Sequence, residues 1–337
     1  MPPTPPAATA TADRSTLEFL RARFAREYTE SVTGKATKKA CSAPRVVVGF
    51  WPLRGENAAD RSMGMSTRTC LNTVTIKYAA LEQKIEVAAD TGFDAVGLWN
   101  TDVSDYLQSG HTLGDLQRML SDAQLHVAEM CAAFGWQYVG KAEQKKALDE
   151  ARWKLEQCAE LQAGCIIAPG SREEGDLRRA ADDFVALCEV AAEFGIRVAF
   201  EFIWAHKQFH DVAAAWQLIL QAGQDNGGLV VDTHHFYLGD STLGDLAAGP
   251  PEKVFLVHAS DAPDGPKGEL TYKDRIHVGT GAIPLREILG TLREMGCTCP
   301  ISLEIFNENY WSADPKRVAA EAKDRLANLL SDTGYGG

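Results

Sequence analysis

From Thr69 onward the chain alternates short, apolar, β-rich segments with longer helical ones, and the alternation recurs eight times. The strand-like segments are Cys70–Val74, Ala95–Trp99, His126–Ala132, Gly164–Ala168, Arg197–Ile203, Leu229–Asp232, Val254–His258 and Ile301–Phe306. Helical periodicity fills the intervals at about 76–91, 113–122, 143–161, 174–194, 211–224, 242–248 and 285–295, with a last run at 314–331. Each strand is apolar over most of its length, as parallel strands covered on both faces are. Gly stands between helix and strand in Thr91-Gly-Phe, Phe194-Gly-Ile and Met295-Gly-Cys, where it ends the helix. Eight such units predict an α/β chain, a closed (β/α)8 TIM barrel over residues 69–332. An open doubly wound sheet would carry a Gly-rich phosphate loop after its first strand, and no GxGxxG follows any of these strands. Gly279-Thr-Gly281, after strand seven, is too short for a nucleotide site.

Residues 1–68 form an N-terminal extension in this reading. Met1–Ala12 is rich in Pro, Ala and Thr, and without an apolar core it predicts no secretory signal. Ser15-Thr-Leu-Glu18 resembles a capping box, and Leu17, Leu20, Phe24 and Tyr28 predict a short amphipathic helix over about 16–29. Val46–Phe50 predicts a strap or an added strand. The arginines here also suit an organellar transit peptide, against which stand Asp13, Glu18, Glu27 and Glu30.

Charge divides sharply along the chain. Residues 1–69 hold 11 Lys/Arg against 6 Asp/Glu, whereas the remainder hold 23 against 40. So acidic a body repels a phosphate backbone, which argues against nucleic acid as a partner and suits a neutral small molecule or a metal cation. No stretch approaches the ~20 apolar residues of a membrane span, so no membrane partner is expected. Eight cysteines lie scattered without a CxxC pair, which predicts reduced, buried thiols and a cytoplasmic setting. A homo-oligomer is compatible with this composition.

Chemistry in such a barrel belongs at the C-terminal ends of the strands. There strand five ends in Ala199-Phe-Glu201, strand six in Val230-Val-Asp232, strand seven in Leu256-Val-His258 and strand eight in Ser302-Leu-Glu304. Four consecutive strands thus each deliver one hard ligand among Val, Leu, Ile and Phe. Burying three carboxylates and an imidazole together is costly unless a cation compensates them. Glu201, Asp232, His258 and Glu304 are therefore the expected ligands of one divalent cation, and an oxygen-rich set with one imidazole suits Mn²⁺, Co²⁺, Mg²⁺ or Zn²⁺. Trp99 and Trp136, near strand ends, are candidates for an apolar wall against a substrate ring. Asn72 and Glu129 are candidates for polar contacts, while His206, Lys207 and His210 read as a solvated loop. His234 should face away from His235 if strand six continues through both.

Glu201, Asp232-Thr-His-His235, His258-Ala-Ser-Asp261 and Glu304 resemble the four-ligand signature of the xylose-isomerase-like barrel superfamily of sugar isomerases and epimerases. Val198-Ala-Phe-Glu-Phe, Gly228-Leu-Val-Val-Asp-Thr-His-His-Phe, Leu270-Thr-Tyr-Lys-Asp-Arg-Ile and Ser302-Leu-Glu-Ile-Phe make the likeness strongest to the 2-keto-myo-inositol isomerases. It spans about 69–332, is specific in the C-terminal half and weak over the first four strands. Two departures bear on the pocket: the loop Val278-Gly-Thr-Gly-Ala-Ile-Pro284, and Val96-Gly-Leu-Trp99 on strand two, where relatives often carry an acid.

The resemblance implies a mechanism. A metal-polarised polyhydroxy ketone loses a proton to Glu201 or Glu304, passes through a cis-enediolate and regains the proton at the neighbouring carbon or at the opposite face. The resemblance further implies that His235 and Arg275 bind substrate oxygens and that Asp261 lies close behind the metal. Two other classes share the barrel. A lyase or dehydratase, of the 3-dehydroshikimate dehydratase or C-glycoside-cleaving kind, would expel a β-substituent after the same enolisation, acting on a polyhydroxy ketone or keto-glycoside. An apurinic endonuclease would need further ligands from early strands and a cationic face, and strands one to four offer mainly His126 and Glu129.

Overall fold

A computed structural model describes residues 69–335. The helix expected at 16–29, the strap at 46–50 and the extension as a whole lie outside the described residues. Eight parallel strands close into a barrel in sequence order: β1 Thr69–Asn72, β2 Ala95–Trp99, β3 His126–Cys131, β4 Cys165–Pro169, β5 Arg197–Glu201, β6 Gly227–Asp232, β7 Val254–Ala259 and β8 Ile301–Leu303. β8 returns to β1 through Thr69, Cys70 and Leu71, paired with Ile301, Ser302 and Leu303.

Helices surround the strands. They are α1 Leu81–Asp90, α2 Asn100–Gln108, α3 Leu113–Asp122, α4 Lys141–Glu160, α5 Leu177–Ala192, α6 Val212–Ala222, α7 Thr233–Leu238, α8 Leu243–Ala247, α9 Leu285–Met295, α10 Glu308–Trp311 and α11 Pro315–Thr333. Side-chain oxygens of Thr112, Asp176, Asp211 and Asp314 accept from the first-turn amides of α3, α5, α6 and α11 and so satisfy donors that a helix start leaves unpaired. Gly92, Gly195 and Gly296 take positive φ between helix and strand, as the Gly positions in the sequence predict. No helix among the described residues is long and apolar enough to cross a membrane.

Successive strand residues divide into two apolar layers because a strand alternates its faces. Leu71, Val96, Leu98, Ile166, Val198, Phe200, Leu229, Val231 and Val257 pack outward beneath the helices. Cys165, Ile167, Ala199, Val230, Phe255 and Leu256 fill the interior. Two bulges interrupt the alternation. On β3 the partner of Val96 is Val127 and the partner of Gly97 is Glu129, so Ala128 is skipped. On β7 the partners of Leu229 and Val230 are Val254 and Leu256, so Phe255 is skipped. An extra residue re-aims every side chain beyond it.

The early β/α units differ from the sequence expectation. Residues 73–76 form a 3-10 turn, where the sequence predicts strand one running to Val74 and the first helix starting near 76. The Asn72 side chain caps this turn, and the Thr75 hydroxyl donates to Leu303 O at 2.7 Å while accepting from Ile305 N at 3.0 Å. These bonds draw the segment across the β1–β8 seam. Helix α2 is absent from the sequence reading because its stretch NTDVSDYLQ is poor in strong helix formers and short of apolar positions. All seven described cysteines are free and buried, matching the expectation of reduced thiols.

Asp261, expected close behind the metal, instead organises the loop after β7. Its carboxylate accepts from the amides of Ala262, Thr280, Gly281 and Ile283 at 2.9–3.1 Å, and its backbone pairs both ways with Ile276 at 2.9 Å. A side chain at Gly281 would set Cβ 1.9 Å from Ala262 O, so this glycine serves close packing, whereas Gly279 takes a φ of 75° in open space. Gly281→Ala should lower stability by about 1–3 kcal/mol through overpacking. Urea denaturation measures this, and an unchanged midpoint contradicts the assignment.

Candidate metal centre

Glu201 is the last residue of β5, Asp232 the last of β6, His258 the penultimate residue of β7, and Glu304 immediately follows β8. One donor atom from each lies within 4.8 Å of all the others, and all four residues are buried. His258 Nδ1 stands 3.3 Å from Glu201 Oε1, 3.4 Å from Glu304 Oε2 and 3.9 Å from Asp232 Oδ2. The sequence-derived ligand set is therefore brought to one point.

Local sequence explains each placement. β6 stops at Asp232 because that residue caps α7: its Oδ1 accepts from His235 N at 2.8 Å, leaving Oδ2 for the cluster. The helical start also corrects the expectation for His234, which does not sit on a continuing strand. It is fully buried, with Nε2 3.1 Å from the carbonyl of Thr271. His235, a turn into the same helix, stacks on Trp204 at 5.5 Å between ring centroids.

Arg275 is 2% exposed and joins the cluster from the β7–α9 loop. Its Nη1 donates to Asp232 Oδ2 at 2.7 Å and lies 3.3 Å from Glu304 Oε2, while Nη2 stands 3.4 Å from His235 Nε2. With Nε2 accepting from Arg275, the proton of a neutral His235 lies on Nδ1, a buried atom with no protein partner among the described residues. Burial and the neighbouring Arg275 charge push His235 down to about 3, which keeps the ring neutral.

The carboxylates respond to one environment in different ways. Burial pushes Glu304 up to about 8, and it raises Glu201 as well, with His258 opposing in both. Asp232 is buried too, yet Arg275, His235 and His258 outweigh desolvation and hold it below the usual carboxylate range. His258 is raised well above its ordinary value because Glu129 and Glu304 outweigh its burial. Glu129, Glu201, Asp232 and Glu304 thus bring four carboxylates to two cationic side chains, His258 and Arg275. An oxygen-rich donor set with one imidazole nitrogen, buried together, fits a divalent ion, whose charge would favour the ionised forms of Glu201 and Glu304.

Trp99 packs in the interior layer; its Nε1 donates to Asn72 Oδ1 at 2.7 Å and its ring meets Phe306 edge-on at 5.8 Å. Trp136 departs from expectation. It packs with Phe184 and Phe200 in the outer layer between strands and helices, so hydrophobic burial accounts for it and a substrate wall does not. His206 departs in the other direction: instead of lying in a solvated loop it is 3% exposed. Lys207 pairs with Glu173 and His210 with Asp211. Glu129, fully buried, contacts His258 directly. The break in alternation along His126-Val-Ala-Glu-Met-Cys was the available sequence signal for it.

Burial depresses His206 to about 3, so the unfolded chain binds a proton that the folded chain refuses between about pH 6.5 and 3. Stability should therefore fall as pH drops below about 6.5, by up to about 1.4 kcal/mol per pH unit from this residue. His206→Gln should flatten that slope in urea unfolding measured from pH 7 to pH 5; an unaltered slope excludes the neutral buried state.

Comparison with known proteins follows the same lines. A family model described as xylose isomerase-like TIM barrel matches residues 85–329. An inosose isomerase of Halalkalibacterium halodurans is 28% identical over 274 residues, covering 78% of this chain and 96% of the relative. A 3-dehydroshikimate dehydratase of Pseudomonas aeruginosa is 29% identical over 255 residues, covering 74% of this chain and 39% of that protein. Among solved structures, the IolI protein with a bound zinc atom superposes with a TM-score of 0.75 at 23% identity, over 80% of this chain and 99% of the other. An L-ribulose 3-epimerase superposes with a TM-score of 0.65 at 18% identity, over 80% and 96%. These structural likenesses concern the fold.

Proposed function

The chain belongs to the xylose isomerase-like TIM barrel family and is an enzyme, and we propose that it is a divalent-metal-dependent isomerase of a cyclic polyhydroxy ketone of the keto-inositol class. The observation that carries this reading is the convergence of Glu201, Asp232, His258 and Glu304 within 4.8 Å at the C-terminal ends of four consecutive strands. The inosose isomerase relatives, matched over nearly their full length, support the substrate class, and the zinc-containing structural neighbour supports the cation.

Glu201, Asp232, His258 and Glu304 would hold the ion, and a divalent cation there would supply Lewis acidity toward a substrate carbonyl and so acidify the adjacent C–H. The protein's own groups do the rest. Glu201 and Glu304 enter from opposite sides of the ligand set, on β5 and after β8, and each has a second oxygen for proton transfer. One carboxylate takes the proton from the carbon beside the carbonyl, and delivery to the neighbouring carbon relocates the ketone. Arg275 balances charge that develops on substrate oxygen while orienting Asp232. His235 offers its Nδ1–H to a hydroxyl, and Trp204 stacked on its ring holds that orientation. Trp99 and Phe306, packed edge to face, would supply an apolar surface for the substrate ring.

The second reading, a dehydratase that expels a β-hydroxyl after the same proton abstraction, is favoured by the 3-dehydroshikimate dehydratase relatives. The product decides between the two. Incubation with keto-inositols, ketohexoses, 3-dehydroshikimate and 3-keto-glycosides, read by NMR in ²H₂O, should give an isomerised keto-inositol carrying solvent deuterium beside the carbonyl. An unsaturated product from 3-dehydroshikimate establishes the dehydratase instead, and transfer without deuterium excludes proton abstraction.

EDTA should abolish turnover and Mn²⁺, Co²⁺ or Zn²⁺ restore it; activity that survives exhaustive chelation refutes the metal role. Glu201→Gln and Glu304→Gln should each lower turnover by about 10²–10⁴, the usual contribution of a positioned acid or base. Steady-state rates for the metal-reconstituted variants measure this.

A further inference from the structure

Glu129, on β3, lies outside the four-donor set yet touches that set directly. Its Oε2 stands 2.5 Å from His258 Nε2. Its Oε1 accepts from Ser302 Oγ at 2.7 Å and from Asn72 Nδ2 at 2.9 Å. Asn72 Oδ1 in turn accepts from Trp99 Nε1 at 2.7 Å. Glu129, Asn72, His258 and Ser302 are all fully buried, so nothing but protein groups from β1, β2, β3, β7 and β8 fixes this carboxylate.

The backbone makes room for the contact. A side chain at Gly97 would put Cβ 2.2 Å from Glu129 Oε1. Register shifts at Ala128 and Phe255 precede Glu129 and His258 on their strands, and the two side chains meet inside the barrel. An imidazole can bind an ion through Nδ1 only if its proton sits on Nε2, and an ionised carboxylate, which can only accept, selects that tautomer.

We propose that Glu129 is a positioning residue, which holds His258 in the Nε2-protonated tautomer and so aims its Nδ1 lone pair into the ligand set. The inference rests on the metal reading above. Because Glu129, Cys131 and His258 also converge within 4.8 Å, the rival arrangement is a second ion beneath the first, bridged by a fully deprotonated imidazole. The two arrangements differ in the number of ions per chain and in whether the ring keeps a proton for Glu129 Oε2.

Zinc titration calorimetry on the full chain tests the assignment. Wild type should bind one Zn²⁺ per chain, Glu129→Gln should bind it about 10–100-fold more weakly, and Ser302→Ala should show a smaller loss in the same direction. In zinc-loaded, ¹⁵N-histidine-labelled wild type, long-range ¹H–¹⁵N correlation should place the His258 proton on Nε2 in a strongly downfield N–H resonance. That resonance should move upfield in Glu129→Gln, a change that loss of packing alone does not produce. Circular dichroism checks that each variant folds, and if Glu129→Gln does not, Ser302→Ala carries the same two readouts. Unaltered affinity and N–H shift in a folded variant, a proton on Nδ1, or two Zn²⁺ per chain overturns the proposal. Failure of wild type to bind any ion removes the metal reading itself, whereas binding with indifferent variants removes only the role of Glu129.

Discussion

Four carboxylates share one imidazole and one guanidinium at the water-poor end of this barrel. Glu129, Glu201, Asp232 and Glu304 are each 4% exposed or less. Transfer of even one carboxylate from water to such surroundings costs several kcal/mol without partners. Much of the upper barrel is arranged around that cost. Asp232 is satisfied by a helix N-terminus and by Arg275; Glu129 is satisfied by Asn72, Ser302 and His258. Glu201 and Glu304 remain the less compensated pair, which is why burial raises both. Asymmetric compensation of this kind shifts Glu201 and Glu304 toward the neutral form and Asp232 toward the charged one.

His258 joins two layers of the interior. One ring nitrogen faces the three upper carboxylates and the other faces Glu129. The loop after β7 then brings Arg275 to the opposite flank, and Asp261 holds that loop by accepting from four backbone amides. Asp261 acts on the site through the backbone of Ile276, next to Arg275, and not through contact with the carboxylates. Charge at the centre and geometry at the rim are thus parts of one construction. The C-terminal strand ends supply the donors, and the loops between them supply the countercharge, as in other barrels whose chemistry sits on that face.

Particular residues show where sequence reasoning carried and where it stopped. Glu201, Asp232, His258 and Glu304 were legible because each is a hard ligand in an apolar strand, and the repeat places the strands side by side. Trp136 misled because an aromatic near a strand end has the same composition whether it faces pocket or helix layer, and its contacts with Phe184 and Phe200 decide the matter. His234 faces away from a ligand role by packing, but not through strand alternation, because the Asp232 side chain caps a helix at that point and His234 is buried against the Thr271 carbonyl. His206 read as solvated because its polar neighbours Lys207 and Gln208 dominate a short window, although tertiary packing buries it.

The sequence by itself determined the eightfold β/α alternation, the barrel it implies and which four polar side chains stand at the ends of successive strands, because hydrophobic periodicity and residue chemistry are local properties. Only the tertiary structure decided the contacts of Glu129 and the partners of Arg275 and Asp261. Those depend on two single-residue bulges and on a glycine opposite Glu129, which redirect side chains between faces of a strand. A one-residue shift of register leaves composition unchanged yet exchanges interior for exterior, since strand side chains alternate with period two.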